Sequence, residues 1–259
     1  MIPYFPPPVF HIGALEVHAF GVAACLAILA GHSLALRRAR TLGLDERSMS
    51  WIYAGGAVAA AVAGHLWAIA GTAAHTGPFE IWSGQSAAGF TAGALLTILF
   101  ILWRFGPLRW RYLDALAFAF PFAWTLVRTG CFLAHDHIGA PTASTLGVRF
   151  PDGTRFDLGL LEALMALMAS LGVVLFLPRL KLPGQMSGFL LLLAGTARLF
   201  IAAVSESSSA FTTGFGGVVL TLLGVAILAS RQRTTDAGSG RRRRGAGDAV
   251  GRRIRFEYR

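Results

Sequence analysis

Long uninterrupted apolar stretches, separated by short polar links, set the pattern of this chain. Seven can be drawn, at 17–36, 51–71, 86–103, 112–133, 159–177, 185–204 and 212–229. A run of roughly 17 to 25 such residues is long enough to cross the hydrocarbon core of a bilayer as a helix. The pattern therefore predicts an all-α, polytopic integral membrane bundle of about seven transmembrane helices. The last span is the least regular, opening with Gly214, Gly216 and Gly217. On the second, Gly56, Ala60 and Gly64 recur every four residues, a small-residue stripe that lets two helix backbones approach. No internal repeat suggests the inverted halves of a transporter.

Composition agrees: 54% of the 259 residues are hydrophobic and only 14% charged. A formal net charge of +10 invites a nucleic-acid reading until its positions are examined. Seven units of it lie in the last 29 residues, and nineteen of the 23 Lys and Arg residues follow spans one, three, five and seven. Basic loops stay on the cytoplasmic side, so the N-terminus is expected outside and the C-terminus inside. The charge then reports orientation in a lipid bilayer, and no nucleic-acid partner is expected. Residues 1–230 form the expected membrane domain, and 231–259, with Arg241 to Arg244, a basic, disordered cytoplasmic tail. Met1 to Phe10 is proline-rich and lacks a positive region, so no secretory signal peptide is expected. Cys25 and Cys131 both sit in apolar runs and offer no disulfide framework.

Ionisable groups inside spans are costly and mark function. By depth, Arg128, Glu162 and Arg198 fall in one outer layer, while Asp114 lies near the cytoplasmic end of span four. Directly after Arg128 comes the densest chemistry in the chain, from Cys131 through His135, Asp136 and His137 to Gly139. Were the helix to continue, Arg128, Cys131 and His135 would share a face and the two imidazoles would point apart; a strand or turn would put the imidazoles on one side. Three readings follow. Arg128 and Arg198 hold a phosphate-bearing headgroup while a histidine moves a proton; or Cys131, His135, Asp136 and His137 bind a metal; or the arginines pair with Glu162 and Asp136 to hold the bundle together.

At this cluster the chain resembles the bacterial prolipoprotein diacylglyceryl transferases. Arg128, Gly130, Phe132 and Gly139 match their signature, Cys131 stands at its first Asn position as in some members, and Asp136 takes its Glu place. The His135-Asp136-His137 form resembles a divergent branch. Weaker matches follow in order over roughly residues 11 to 229: His18-Ala19-Phe20-Gly21, Asp114, Leu161-Glu162, Pro183-Gly184-Gln185 and Gly195-Thr196-Ala197-Arg198-Leu199-Phe200. Three positions depart from the family: Ala88 stands where its span-three His is expected, Ser205 where its second phosphate-binding Arg is, and Phe20 where its span-one Tyr is.

The resemblance implies an enzyme of the bacterial cytoplasmic (inner) membrane. It would transfer the diacylglyceryl group of phosphatidylglycerol to the lipobox cysteine of preprolipoprotein signal peptides, without metal or cofactor. Arg128, His135, His137 and Asp136 are the expected catalytic residues. Arg128, Arg198, Glu162, Cys131, Gly139 and Phe20 are expected to bind substrate, with Glu162 orienting an Arg, Gly139 allowing a tight loop, and His135 or His137 serving as base in place of Ala88. The alternative is a non-catalytic relative that binds phospholipid.

Overall fold

A computed structural model describes residues 1–13, 15–76, 86–205 and 210–232. Among them are seven α-helices: α1 (Ala19–Thr41), α2 (Glu46–Thr76), α3 (Ala87–Arg104), α4 (Arg109–Ala134), α5 (Leu158–Phe176), α6 (Gln185–Val204) and α7 (Ala210–Gln232). Six are long and apolar enough to cross a membrane, and α3 is the shorter apolar helix. The chain is thus the expected polytopic helical membrane protein, with the irregular last span helical. The tail expected over 231–259 begins inside α7 and from 233 lies outside the described residues.

Small residues explain which helices meet. On α1, Ala27, Gly31, Ala35 and Ala39 recur every four positions, and all are buried. They face α4, which buries Ala115, Ala117 and Ala119; a Cβ at Gly31 would lie 3.1 Å from that of Ala123. The stripe on α2 meets α3: a Cβ on Gly56 would press on Thr97, and one on Gly93 would lie 2.5 Å from Ala60 Cα. Gly217 of α7 has the same cause, since a Cβ on it would lie 3.0 Å from the Gly195 carbonyl of α6. Among lipid tails no hydrophobic drive joins helices, so close backbone approach supplies the packing instead.

The two ends of the bundle differ in chemistry. At one, buried Asp114 on α4 accepts hydrogen bonds from Gly184 N (2.6 Å), Ser187 N (2.9 Å) and Ser187 Oγ (2.7 Å). Two of those donors are backbone N–H groups at the start of α6, so the carboxylate caps one helix from another. Arg231 stacks on Trp110 at 4.2 Å, bringing the end of α7 to the same place. The described basic residues of all four expected cytoplasmic links belong to this end, because the chain returns to it after each odd-numbered helix. Asp114→Asn leaves one oxygen to serve three donors and should cost about 1–2 kcal/mol, read by thermal unfolding in detergent.

The opposite end carries strands that the apolar pattern did not foretell. Strands β1 (Ile2–Pro3), β4 (Ile138–Pro141), β5 (Val148–Phe150) and β6 (Gly153–Asp157) form one sheet in the order β1-β5-β6-β4. Strand β1 runs parallel to β5, pairing Ile2 with Val148, while β6 is antiparallel to β5 and β4. A hairpin of β2 (Val9–Ile12) and β3 (Leu15–His18) leads into α1. The sheet holds the N-terminal segment against the connection between α4 and α5, and that connection contains the cluster of candidate residues.

Candidate functional site

The site grows from the last turn of α4. Arg128 lies on the side of that helix facing α5, where its Nε is 2.7 Å from Glu162 Oε2, both side chains being mostly buried. The N–H is turned off the carboxylate, so the pairing is one of charge more than a directed hydrogen bond. Trp124, one turn earlier, lies beneath the guanidinium at 4.6 Å, and Nη1 reaches Cys131 Sγ at 3.6 Å. The guanidinium is thereby held by an anion, a ring and a sulfur atom.

Helix α4 ends at Ala134, because His135 adopts a left-handed backbone (φ 52°, ψ 36°). That turn separates the two histidines. His135 points inward, its Nδ1 2.7 Å from Asp157 Oδ2, with side-chain exposures of 5% and 0%. Rings of Tyr4, Phe5, Phe132 and Phe150 surround it with centroids 4.5 to 5.6 Å away. Its Nε2 is buried and has no hydrogen-bond partner among the described residues. Asp157 also caps α5, accepting from Leu160 N at 3.1 Å. Burial pushes the Asp157 carboxyl up, against the pull of the hydrogen bonds from His135 and the backbone. The helical alternative, with Arg128, Cys131 and His135 on one face, therefore stops short of His135.

His137 goes the other way. Its Nδ1 meets Asp136 Oδ1 at 2.7 Å, with the two side chains 47% and 39% exposed. The pKa of His137 is pushed up to about 10 by the hydrogen bond to Asp136 and then by that to Cys131, outweighing burial and the Arg128 charge. Burial raises Asp136, but His137 and Arg128 outweigh it and hold the carboxyl below its ordinary value. The space between the thiol and the carboxylate thus attracts positive charge. Candidate donor atoms of Cys131, Asp136 and His137 all lie within 4.8 Å of one another. Of the four candidate ligands in the sequence, the fold gathers these three and removes His135 to its aromatic enclosure.

Other expected residues are placed differently from the sequence reading. Asp136 pairs with His137 and not with an arginine. Arg198 is exposed on α6 and has no ion pair or hydrogen bond among the described residues. Phe20 is 40% exposed, and its ring lies 3.3 Å from where a Cβ on Gly130 would stand, so the signature glycine is where α1 and α4 close together. Gly139 is not the tight-turn glycine that was expected. It sits in β4 outside the left-handed region, and a Cβ there would meet Leu158 Cδ2 at 2.8 Å and the Val204 carbonyl at 2.9 Å. Close approach to α5 and α6 is the constraint, so Gly139→Val should destabilise by about 1–3 kcal/mol through overpacking, measured as a shifted unfolding midpoint.

Sequence reasoning missed Asp157, Tyr4 and Phe5. Asp157 had a legible signal, an Asp directly before an apolar run, the mark of a helix N-cap. Nothing local announces that Tyr4 and Phe5 enclose a histidine some 130 positions away.

The family model for prolipoprotein diacylglyceryl transferase matches residues 7–233, taking in every element from β2 to α7. No curated protein matches the chain.

Proposed function

The chain belongs to the prolipoprotein diacylglyceryl transferase family, and from that premise we propose that it moves the diacylglyceryl group of phosphatidylglycerol onto the lipobox cysteine of preprolipoproteins, in the bacterial cytoplasmic membrane. Family membership carries diacylglyceryl transfer in lipoprotein biogenesis, and the apolar helices carry a multi-pass membrane protein. The choice of donor, the acceptor cysteine and the residue roles are inferences. One observation bears them: a guanidinium fixed by Glu162, Trp124 and Cys131 where α4 meets the sheet.

The sulfur of the acceptor attacks the glyceryl carbon bearing the phosphate; a C–S bond forms and the C–O bond breaks. The bonding pair leaves on the phosphate oxygen, which takes the thiol proton, and glycerol phosphate departs. Arg128 neutralises the charge that gathers on that phosphate, a role for which its fork of donors is suited. Glu162 orients the guanidinium. Arg198 supplies a second cation from α6, since it is exposed and unpaired among the described residues. Thiol activation falls to the Cys131, Asp136 and His137 cluster, because His135 is walled off by aromatic rings. Opposite chemistry at the two ends of the bundle supports an N-terminus outside and a C-terminus in the cytoplasm, which puts the cluster on the outer side.

The second reading, a phospholipid-binding relative without transfer, is favoured by Ala88, an exposed methyl in the first turn of α3. Rescue of a bacterium depleted of its own transferase separates the two. The transferase restores growth and diacylglyceryl-modified lipoproteins, whereas a non-catalytic relative restores neither although it inserts.

A further inference from the structure

The last turn of α4 and the exposed residues just after it hold three donors of different kinds at one point. Cys131 offers a thiol, Asp136 a carboxylate and His137 an imidazole, with candidate donor atoms within 4.8 Å of one another. We propose that these three residues hold a zinc ion, or a divalent cation of the same class, whose open fourth position receives the thiol of the acceptor peptide. The inference rests on the transferase reading for its acceptor and on geometry for its ligands.

Sulfur, nitrogen and oxygen donors together suit zinc, whereas calcium and magnesium require oxygen alone. Zinc lies roughly 2.0–2.3 Å from such donors, which sets tetrahedral donor separations at roughly 3.3–3.7 Å. Closing from 4.8 Å takes about an ångström of movement. Asp136 and His137 are 39% and 47% exposed and can make it by changing rotamer, while Cys131 is anchored in the helix. Charge also balances. A thiolate and a carboxylate cancel the dication, and the adjacent Arg128 is cancelled by Glu162. A cation in the cluster therefore meets no net repulsion from its neighbour.

Three protein ligands with a fourth position left open is the layout of a catalytic zinc site, and a structural site is closed by four. Asp136 and His137 are solvent-exposed, so a peptide can reach the fourth position from their side. A thiol that coordinates zinc gives up its proton, which leaves a metal-held thiolate at neutral pH. That supplies the activation for which Ala88 leaves no imidazole on α3. Position is right as well, since Cys131 Sγ lies 3.6 Å from Arg128 Nη1. The metal-bound sulfur and the guanidinium-bound phosphodiester would be neighbours. The metal forms no bond to carbon: the thiolate attacks, the phosphate departs with the C–O pair, and the proton released at coordination ends on glycerol phosphate.

The test is metal binding by the purified full chain in detergent, titrated with Zn²⁺ against a chromophoric chelator and with Co²⁺ by absorption. About one equivalent is expected, with a thiolate-to-cobalt charge-transfer band that strengthens when a lipobox peptide is added. Cys131→Ser and His137→Ala should each weaken binding by roughly tenfold or more, while Asp152→Ala in the β5–β6 turn leaves it unchanged. No metal retained, or equal affinity in all these proteins, overturns the proposal. Metal-stripped chain should lose transfer and regain it with zinc. Transfer at full rate by stripped chain overturns the metal while leaving the transferase reading intact; cobalt binding and the peptide response report on the site even if that reading fails.

Discussion

Arg128→Ala should lower diacylglyceryl transfer by at least about a hundredfold, the scale set by removing one preorganised group from a developing anion. The guanidinium is mostly buried between Glu162, Trp124 and Cys131, so no mobile surface lysine can take its place. Arg128→Lys should restore little, because an ammonium cannot reproduce the planar fork or the stacking on Trp124. Loss of the arginine also strands the mostly buried Glu162 carboxylate, which by itself destabilises. The double variant Arg128→Ala, Glu162→Ala separates these effects: it should recover thermal stability lost in the single variant and recover no transfer. Activity close to that of the natural chain in Arg128→Ala would remove the phosphate role.

Asp157→Ala should destabilise the strand-bearing end by about 3 kcal/mol, from a lost helix cap and a buried imidazole left without a partner. Both carboxylate oxygens are engaged, one by Leu160 N and the other by His135 Nδ1, and the side chain is fully buried. His135 Nε2 already has no hydrogen-bond partner among the described residues, so the variant leaves the whole ring unsatisfied among Tyr4, Phe5, Phe132 and Phe150. Asp157→Asn keeps one oxygen for the cap and one amide for the imidazole, and should lose less than half as much. Hydrogen exchange over 138–157 reads the effect locally, with faster exchange expected there and unchanged protection in the α2–α3 pair. Protection of 138–157 as strong as in the natural chain would show that the dyad does not hold the sheet to the bundle.

Helices were legible because lipid imposes its demand locally: every backbone group must be satisfied within its own segment, so length and apolarity suffice. The small-residue stripes were legible for the same reason, and Gly56 and Ala60 pack on α3 as their spacing implied. The pairing of Arg128 with Glu162 followed from counting residues along antiparallel spans. Where the helix stopped decided the rest, and that was not legible. A single left-handed residue, His135, sends two histidines two positions apart into different environments, one enclosed by rings and one beside Cys131 and Asp136. The sheet was hidden because β1 is two residues long and finds its partner about 145 positions later, with no periodicity to betray it. Gly139 misled for a related reason: a glycine needed for close approach and one needed for a turn look alike until the neighbours are known.

The most direct test of the account reconstitutes the purified chain in phosphatidylglycerol vesicles with a lipobox peptide and follows the mass of the peptide. A diacylglyceryl thioether on the cysteine, with glycerol phosphate released in equal amount and none formed without phosphatidylglycerol, is the result expected here. A chain that inserts, folds and binds the vesicles yet leaves the peptide thiol unmodified would contradict it.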